Sequence, residues 1–230
     1  MRIFDAHFHI FDINSEKNAL PGICCAADEK DWCGLIALSG KNTGIIPCLG
    51  IHPWNVCAKS TAIFDALRRQ ICGTGAFIGE TGLDALRPGM VLQERFFAEH
   101  LCIAAETGRP AIIHCVRAWG RLLSIIQECR PGKFMIHSYN GSIETMEKLL
   151  ETGGWFSFGP RLAFPGEKKC RAAFLHVPGN RFLLESEGGK FQQEGLAAAA
   201  RAAAEIKKIP ESAIIAAANE NYINFTSAAS

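Results

Sequence analysis

The sequence predicts a (β/α)8 barrel, the TIM-barrel fold of the α/β class, and three observations support this. The chain has 230 residues, 48% of them hydrophobic, which is enough to bury one sizeable core. Eight short runs of apolar, β-branched and aromatic residues alternate with longer segments of helical periodicity. Five of the seven histidines fall at or near the ends of those runs, where a barrel gathers its functional residues. An open doubly wound sheet is the main alternative.

The eight runs are the predicted strands, because strands of a parallel sheet are buried on both faces and are apolar throughout. They lie at 3–9, 22–26, 45–52, 76–83, 111–115, 134–138, 155–158 and 182–187. Between them, apolar residues at helical spacing, with Gly or Pro near most ends, predict helices. We expect these at 61–71, 90–107, 119–129, 142–152, 168–176, 195–208, which is rich in alanine, and 211–225. No linker or repeat divides the chain, so we expect one domain over 1–230.

Charge and composition exclude several classes of protein. The 24 Lys and Arg residues nearly cancel 23 Asp and Glu residues, so a protein that packages DNA over its whole surface is excluded. No run approaches the roughly 20 apolar residues of a membrane helix, and charge comes too early for a signal peptide. We therefore expect a cytoplasmic protein with no membrane partner and no obligatory protein partner. The cysteines in apolar segments are expected to be reduced core thiols: Cys48, Cys72, Cys102, Cys115 and Cys129.

Five residues at the ends of predicted strands form a candidate metal site. His7 and His9 stand two apart on one strand, so they share a face and can chelate one metal ion. Glu80 ends a strongly apolar strand, where a buried carboxylate needs a cation or a hydrogen-bond donor. His114 and His137 each end a buried strand, and the whole set suits Zn, Mn, Co, Ni or Mg. The alternatives are hydrogen-bonded barrel histidines and a salt bridge from Glu80 to an arginine.

Further candidates lie at the ends of other strands. Glu185 and Glu187 share a face of the last strand, with Glu187 at the rim and Glu185 deeper, where it would orient a ligand histidine. His52 stands where a strand breaks at proline and could hydrogen-bond a substrate oxyanion or phosphate. Arg117 and Arg161 could add phosphate contacts. The alternatives are solvent-exposed carboxylates, a loop-capping His52 and ordinary rim arginines.

These residues resemble the TatD family of metal-dependent hydrolases, within the amidohydrolase superfamily of (β/α)8 barrels. The resemblance rests on an ordered set of motifs that spans nearly the whole chain. They include Asp5-Ala6-His7-Phe8-His9, Gly50-Ile51-His52-Pro53, Ile78-Gly79-Glu80-Thr81-Gly82-Leu83-Asp84, Ala111-Ile112-Ile113-His114-Cys115, His137-Ser138-Tyr139-Asn140-Gly141 and Leu184-Glu185-Ser186-Glu187. One such motif is modest evidence, but the ordered set is specific.

The resemblance implies one or two divalent metal ions. One would bind His7, His9, Glu80 and Glu187, and a second would bind Glu80, His114 and His137, with Glu80 bridging. The family's last motif normally ends in Glu-Thr-Asp, whereas this chain ends it in Glu187, which moves the carboxylate by about 1.5 Å. The family's arginine after the strand-five histidine is also offset in this chain, because Val116 precedes Arg117.

The function that the resemblance implies is hydrolysis of a phosphodiester bond in DNA near a strand end. A metal-activated water would attack phosphorus, Glu187 would act as general base, and His52 with Arg117 or Arg161 would hold the phosphoryl oxygens. Two alternatives stay open. One is a metal-dependent hydrolase of a small amide, lactone or phosphoester, and the other is a catalytically weak metal-binding protein in which Glu187 blocks the water site.

Overall fold

The computed structural model describes residues 2–9, 20–188 and 192–227. Its strands are β1 (Asp5–His9), β2 (Gly22–Cys25), β3 (Ile45–Leu49), β4 (Phe77–Asp84), β5 (Ala111–Val116), β6 (Phe134–Ile136), β7 (Gly154–Phe158), β8 (Phe182–Leu184) and β9 (Glu187–Gly188). Its α-helices are α1 (Trp32–Lys41), α2 (Ile63–Thr74), α3 (Met90–Thr107), α4 (Trp119–Cys129), α5 (Ile143–Glu151), α6 (Lys168–His176), α7 (Gln192–Lys207) and α8 (Glu211–Thr226). Strands and helices thus alternate along the chain, as the sequence predicts.

The strands form one parallel sheet that closes on itself. Their order is β8-β7-β6-β5-β4-β3-β2-β1-β9. Only Glu185 and Ser186 separate β8 from β9, so these two strands are halves of one extended segment. The first half pairs with β7 and the second half pairs with β1. The predicted (β/α)8 barrel is therefore confirmed, since an open doubly wound sheet would reverse its strand order and leave two edges.

Asp5 of β1 forms hydrogen bonds with the segment of β8 and β9 that closes the barrel. Its carboxylate accepts hydrogen bonds from the backbone N–H of Ser186 at 3.0 Å, the Ser186 hydroxyl at 2.5 Å and the Gln192 amide at 2.8 Å. Burial raises the pKa of Asp5 to about 7, although these hydrogen bonds act in the opposite direction. These hydrogen bonds join β1 to the segment of β8 and β9, where the barrel closes, at positions within two residues of His7 and Glu187.

Most predicted elements agree with the structure, and one helix was missed. All predicted strands and helices begin and end within about three residues of the observed ones, which is the usual uncertainty of element boundaries. Helix α1 was not predicted, because Gly34 and Gly40 weaken its helical signal and only Trp32 and Leu35 are buried. In the first crossover, residues 10–19 lie outside the described residues.

An apolar floor lies beneath the candidate site. Ala6, Ile23, Cys25, Cys48, Phe77, Ile112, Met135, Trp155 and Leu183 form a buried cluster with Tyr222 and Phe225 of α8. Of the predicted core thiols, Cys48 and Cys115 are buried and Cys129 is half-buried. Cys72 and Cys102 are exposed, so their prediction as core residues was wrong; they occupy solvent-facing positions of α2 and α3. No helix in the described ranges is long and apolar enough to cross a bilayer.

Candidate metal centre

The candidate ligands converge at the carboxyl ends of the strands. His7 and His9 come from β1, Glu80 from β4 and His114 from β5. The other members of the group are His137, directly after β6, Glu187 of β9 and His52, three residues after β3. Except for His7, all of them line one cavity of about 470 Å³ at the mouth of the barrel. The sequence therefore placed these residues at the correct end of the barrel.

One oxygen of the buried Glu80 carboxylate faces β1. Glu80 Oε2 lies 2.9 Å from His9 Nε2 and 3.5 Å from His7 Nε2, and these two nitrogens are 3.2 Å apart. The Oε2 atom of Glu187 lies 3.6 Å from the same His7 nitrogen. Ligand atoms of His7, His9 and Glu187 thus lie close enough together to hold one divalent cation, and Glu80 Oε2 contacts both histidines.

The other Glu80 oxygen faces the next strands of the barrel. Glu80 Oε1 lies 2.9 Å from His137 Nε2, 3.0 Å from His114 Nδ1 and 3.2 Å from His52 Nε2. The His114 and His137 nitrogens are 3.0 Å apart. Glu80 thus contacts two separate groups of histidines, one through each oxygen.

Distances and one unpaired oxygen both fit bound cations. Two ligands about 2.0–2.1 Å from one ion are separated by roughly 3.0–3.4 Å, close to the spacings within each group. Among the described residues, buried Glu80 Oε2, which faces His7 and His9, has no hydrogen-bond partner. Leaving a buried carboxylate oxygen unpaired is costly unless a cation compensates it. The His and Glu groups can therefore hold metal ions.

The charges of the site are strongly coupled. Burial alone would raise the pKa of Glu80, but His137, His52 and His7 outweigh it and hold that pKa well below its usual range. Burial lowers the pKa of His7 to about 3, so its imidazole is neutral and able to ligate. For His137 the effect of burial is outweighed by Glu80 and Glu187, and its pKa is raised well above the ordinary value.

Hydrogen bonds at the far ring nitrogens distinguish His9 from His52. His9 Nδ1 lies 2.8 Å from the carbonyl oxygen of Cys25, which can only accept, so Nδ1 carries the proton and Nε2 presents a lone pair to the centre. At His52 the backbone N–H of Trp54 donates to Nδ1 at 3.2 Å, so the proton of the neutral ring lies on Nε2. His52 therefore directs an N–H toward Glu80 Oε1, 3.2 Å away, whereas His9 directs a lone pair toward the centre.

Two glycines allow β4 to bring Glu80 against β5. Gly79 has φ 135° and Gly82 has φ 143°, which side-chain-bearing residues rarely adopt. A Cβ atom at Gly82 would lie 2.0 Å from the carbonyl oxygen of His114, and one at Gly79 would lie 2.4 Å from that of Ile112. The glycines of the Ile-Gly-Glu-Thr-Gly motif thus explain how the strand carrying Glu80 approaches the strand carrying His114.

Asp84 organises the loop at the end of β4. Its carboxylate accepts hydrogen bonds from the Leu86 backbone N–H at 2.9 Å and from the Trp54 indole N–H at 2.7 Å. Trp54 lines the cavity and was not among the candidates, although it directly follows the His52-Pro53 break. The sequence feature that could have identified Trp54 as a cavity residue is its position directly after the end of a strand.

The last strand carries one buried and one exposed glutamate, in the arrangement expected. Glu185 is fully buried and accepts a hydrogen bond from the Ser157 hydroxyl at 2.5 Å, while the Glu187 side chain is 45% exposed. The Oε1 atoms of Glu185 and Glu187 lie 3.9 and 3.5 Å from His137 Nδ1. Ser157 was not a sequence candidate, since nothing in the strand pattern indicates which glutamate it contacts.

The two candidate arginines occupy different places. Arg161 lines the main cavity, and its guanidinium is paired with Glu167 at 2.7 Å. Arg117 does not line that cavity; it lines a neighbouring one of about 380 Å³. In the sequence, Arg117 comes one residue later than the resemblance to the family implies, because Val116 precedes it. Its position in the neighbouring cavity is consistent with that offset.

Comparisons with known proteins identify the family and the fold. The family model for TatD related DNases matches residues 4–227. YcfH of Escherichia coli K12, an uncharacterized metal-dependent hydrolase, is 27% identical over 207 residues, which cover 81% of this chain and 77% of YcfH. A 3'-5' ssDNA/RNA exonuclease TatD of Edwardsiella piscicida is 29% identical over 154 residues, 60% of this chain and 55% of that protein. The crystal structure of the TatD homologue YjjV of Escherichia coli K12 shares the fold, with a TM-score of 0.89, 20% identity and 98% coverage of both chains.

A (β/α)8 barrel with clustered histidine and glutamate ligands at the carboxyl ends of its strands defines a metal-dependent hydrolase that acts on ester bonds. Within that class, the match over nearly the whole chain shows that this protein belongs to the TatD related DNase family. The expected family membership is thus confirmed.

Proposed function

We propose that this chain hydrolyses phosphodiester bonds in DNA, near a strand end. The observation that carries the proposal is the Glu80 carboxylate, whose two oxygens face two separate groups of imidazole nitrogens beneath the exposed carboxylate of Glu187. Two adjacent cations are the usual means of stabilising both the attacking and the leaving oxygen in phosphoryl transfer. The name of the Edwardsiella relative, a single-stranded DNA and RNA exonuclease, supports a nucleic-acid substrate.

The ligand roles follow from the two groups of atoms. His7, His9, Glu80 and Glu187 would hold one ion, and Glu80, His114 and His137 a second. Bound there, divalent ions would lower the pKa of the attacking water and neutralise charge on the phosphoryl oxygens. Glu185 would keep His137 oriented from behind, because its carboxylate lies on the Nδ1 side of that ring.

Glu187 would accept the proton of the attacking water. Although burial raises its pKa, His137 and His7 lower it to about 2, so the carboxylate is ionised at neutral pH. The water oxygen forms a bond to phosphorus, the ester P–O bond breaks, and the leaving alkoxide takes up a proton from solvent. The exposed position of Glu187 lets the accepted proton return to water.

His52 and Arg161 would hold the phosphoryl oxygens. The His52 ring carries an N–H at Nε2 because Nδ1 already accepts from Trp54, and this N–H would turn from Glu80 Oε1, 3.2 Å away, to a phosphoryl oxygen when substrate binds. Arg161 lines the same cavity and adds a cation that can donate two parallel hydrogen bonds to a phosphate. Both groups can stabilise charge that increases on these oxygens during the reaction.

The dimensions of the cavity favour a second candidate function, hydrolysis of a small phosphoester. A volume of about 470 Å³ lies within the range of small-molecule sites, roughly 300–1,000 Å³. The same ligands and the same base would serve that substrate, so the metal centre does not distinguish the two. The distinction depends on what binds outside the cavity.

The test is cleavage of labelled single- and double-stranded DNA by purified protein supplied with Mg, Mn or Zn. We expect metal-dependent cleavage and a loss of more than about 100-fold in His114→Ala, because even partners that only orient a ligand contribute 10–100-fold. His176→Ala is the matched control, since His176 is exposed on α6 and pairs with Glu147. DNA that stays intact with every metal would refute the nuclease, and cleavage unaffected by His114→Ala would refute this site.

A further inference from the structure

A second cavity adjoins the metal centre and has no role in the proposed chemistry. It has a volume of about 380 Å³ and lies between the end of β5, the loop after β7 and the start of α6. Val116, Asn140 and Arg161 line both cavities, so the two share a wall. A ligand that extends beyond the metal centre on this side must enter the second cavity.

The second cavity is lined by four cationic side chains. Arg117, Arg161, Lys168 and Lys169 face one acidic group, Glu167. Glu167 pairs with Arg161, and in the described part of the chain no carboxylate forms an ion pair with the other three cations. Three unpaired cations around one cavity, in a chain whose net charge is only +1, form a local field that attracts anions.

The backbone of Arg117 supports a binding role for this cavity. Its φ is 54°, a left-handed conformation that is uncommon for residues other than glycine and asparagine. Such a conformation costs free energy and is concentrated at functional sites. The bend comes directly after β5, which carries His114, so Arg117 lies within three residues of a candidate ligand.

We propose that this second cavity binds the backbone phosphate of the nucleotide next to the bond that is cut. The inference rests on the proposed function and names the part of the substrate that the metal centre does not contact. Successive phosphates of one strand are joined by a single sugar, and the shared wall places the two cavities side by side. A small phosphoester has no second phosphate, so Lys168 and Lys169 would favour polynucleotides without taking part in the reaction.

The experiment compares Lys168→Ala/Lys169→Ala with the wild type. Binding of a fluorescent single-stranded oligonucleotide is measured in EDTA, so that no cleavage is needed, at a series of salt concentrations. Each lost phosphate contact lowers the slope of log affinity against log salt by about 0.7 for a single strand. We expect the slope to fall by about 0.7, because one phosphate contact is lost, and the affinity at low salt to fall about tenfold or more. With metal present, turnover of bis(4-nitrophenyl) phosphate should equal that of the wild type.

A control with the same loss of charge is available. Lys41 ends α1 and Lys148 lies in the last turn of α5, so both belong to the opposite end of the barrel. Lys41→Ala/Lys148→Ala should leave both affinity and salt slope close to the wild-type values. Arg117→Gln, a third variant, should lower the slope by about 0.7.

The outcomes separate the inference from the proposed function. If Lys168→Ala/Lys169→Ala binds the oligonucleotide with wild-type affinity and slope, or if the control pair has the same effect, the second cavity is not a phosphate site. If turnover of the small ester falls as much as oligonucleotide binding, the lysines act on the metal centre and the inference is wrong. Failure of the wild type to cut DNA while its salt-dependent binding still requires these lysines would refute the nuclease alone.

Discussion

Glu187 shows how a longer side chain is accommodated where the resemblance to the TatD family implies aspartate. Its backbone is left-handed, with φ 69°, and its two carboxylate oxygens lie 3.6 Å from His7 and 3.5 Å from His137. The extra methylene moves the carboxylate by about 1.5 Å. The carboxylate consequently contacts histidines of both groups while its side chain remains partly exposed.

Replacing Glu187 tests whether its charge takes part in the reaction. We expect Glu187→Gln to lower kcat by roughly 100- to 10,000-fold, the usual contribution of a general base, because the amide cannot accept the proton. Glu187→Asp keeps the charge and should lose less, since only the position of the carboxylate changes. Steady-state kinetics on a DNA substrate measure both effects.

Glu151→Gln is the control for this substitution, because Glu151 is exposed at the end of α5, away from the mouth of the barrel. Its kcat should equal that of the wild type. A kcat for Glu187→Gln within about threefold of the wild type would contradict the role of Glu187 as the base.

At the scale of single elements, β4 tolerates little change at its two glycines. It places Glu80 through two glycines whose missing Cβ atoms allow the backbone to approach β5. Because the nearest atoms at Gly82 belong to the His114 backbone, they cannot move away as a flexible side chain could. A substitution there would disturb both the strand pairing and the distance from Glu80 to His114.

We therefore expect Gly82→Ala to lower the free energy of unfolding by about 3 kcal/mol or more, through the clash and the strained φ. For a chain of this length that corresponds to a decrease in Tm of roughly 6–12 °C, measured by circular dichroism. Gly120→Ala is the matched control, because Gly120 lies in α4 with open space around its Cβ position, and alanine should stabilise that helix slightly. An unchanged Tm in Gly82→Ala would contradict the close approach of the two strands.

An element could be predicted when a short stretch of sequence identifies it, and was missed when its stability depends on packing against distant residues. A strand buried on both faces, such as β6 with Phe134, Met135 and Ile136, is a short continuous apolar run, which is typical of a parallel sheet. Helix α1 contains Gly34 and Gly40 and buries little, so its stability comes from packing that the sequence does not display.

The same distinction applies to the candidate site, since some of its features could be predicted from the sequence and others could not. The strand-end positions of His7, Glu80 and His114 could be predicted because the fold places all such positions at one end. The ring proton of His52 and the place of Arg117 could not, since both depend on three-dimensional contacts: the backbone N–H of Trp54 and the shape of a second cavity. The assignment of individual ligands from the sequence stays a prediction.

At the scale of the whole molecule, the net charge and the local charges have different consequences. A net charge of +1 gives the surface no overall attraction for DNA. The cations of the second cavity nevertheless lie together beside the metal centre. An enzyme that acts on one phosphodiester bond at a time needs this local field and does not need a basic surface.

The barrel and its metal ions should stabilise each other, because the candidate ligands come from β1, β4, β5 and β9 and lie far apart in an unfolded chain. At an ion concentration of about 100 times Kd, binding to the native state adds about 2.7 kcal/mol, or roughly 5–10 °C in Tm. The gain should increase with pH. His137 has its pKa raised by Glu80 and Glu187 against the effect of burial, so an ion must displace its proton.

In the metal-free protein the raised pKa of His137 lowers the stability as the pH increases, which is opposite to the trend expected for the gain from metal binding. Its stabilisation is complete below the unfolded value of about 6.5 and is lost as the pH rises through the folded value. Calorimetry at about pH 6 and about pH 8, with and without Mn or Zn, should therefore show a larger metal-dependent increase in Tm at the higher pH. His137→Ala should reduce that increase, and His176→Ala, on the outer surface, should not. Equal increases at both pH values in the wild type would show that the metal does not compete with a proton at His137.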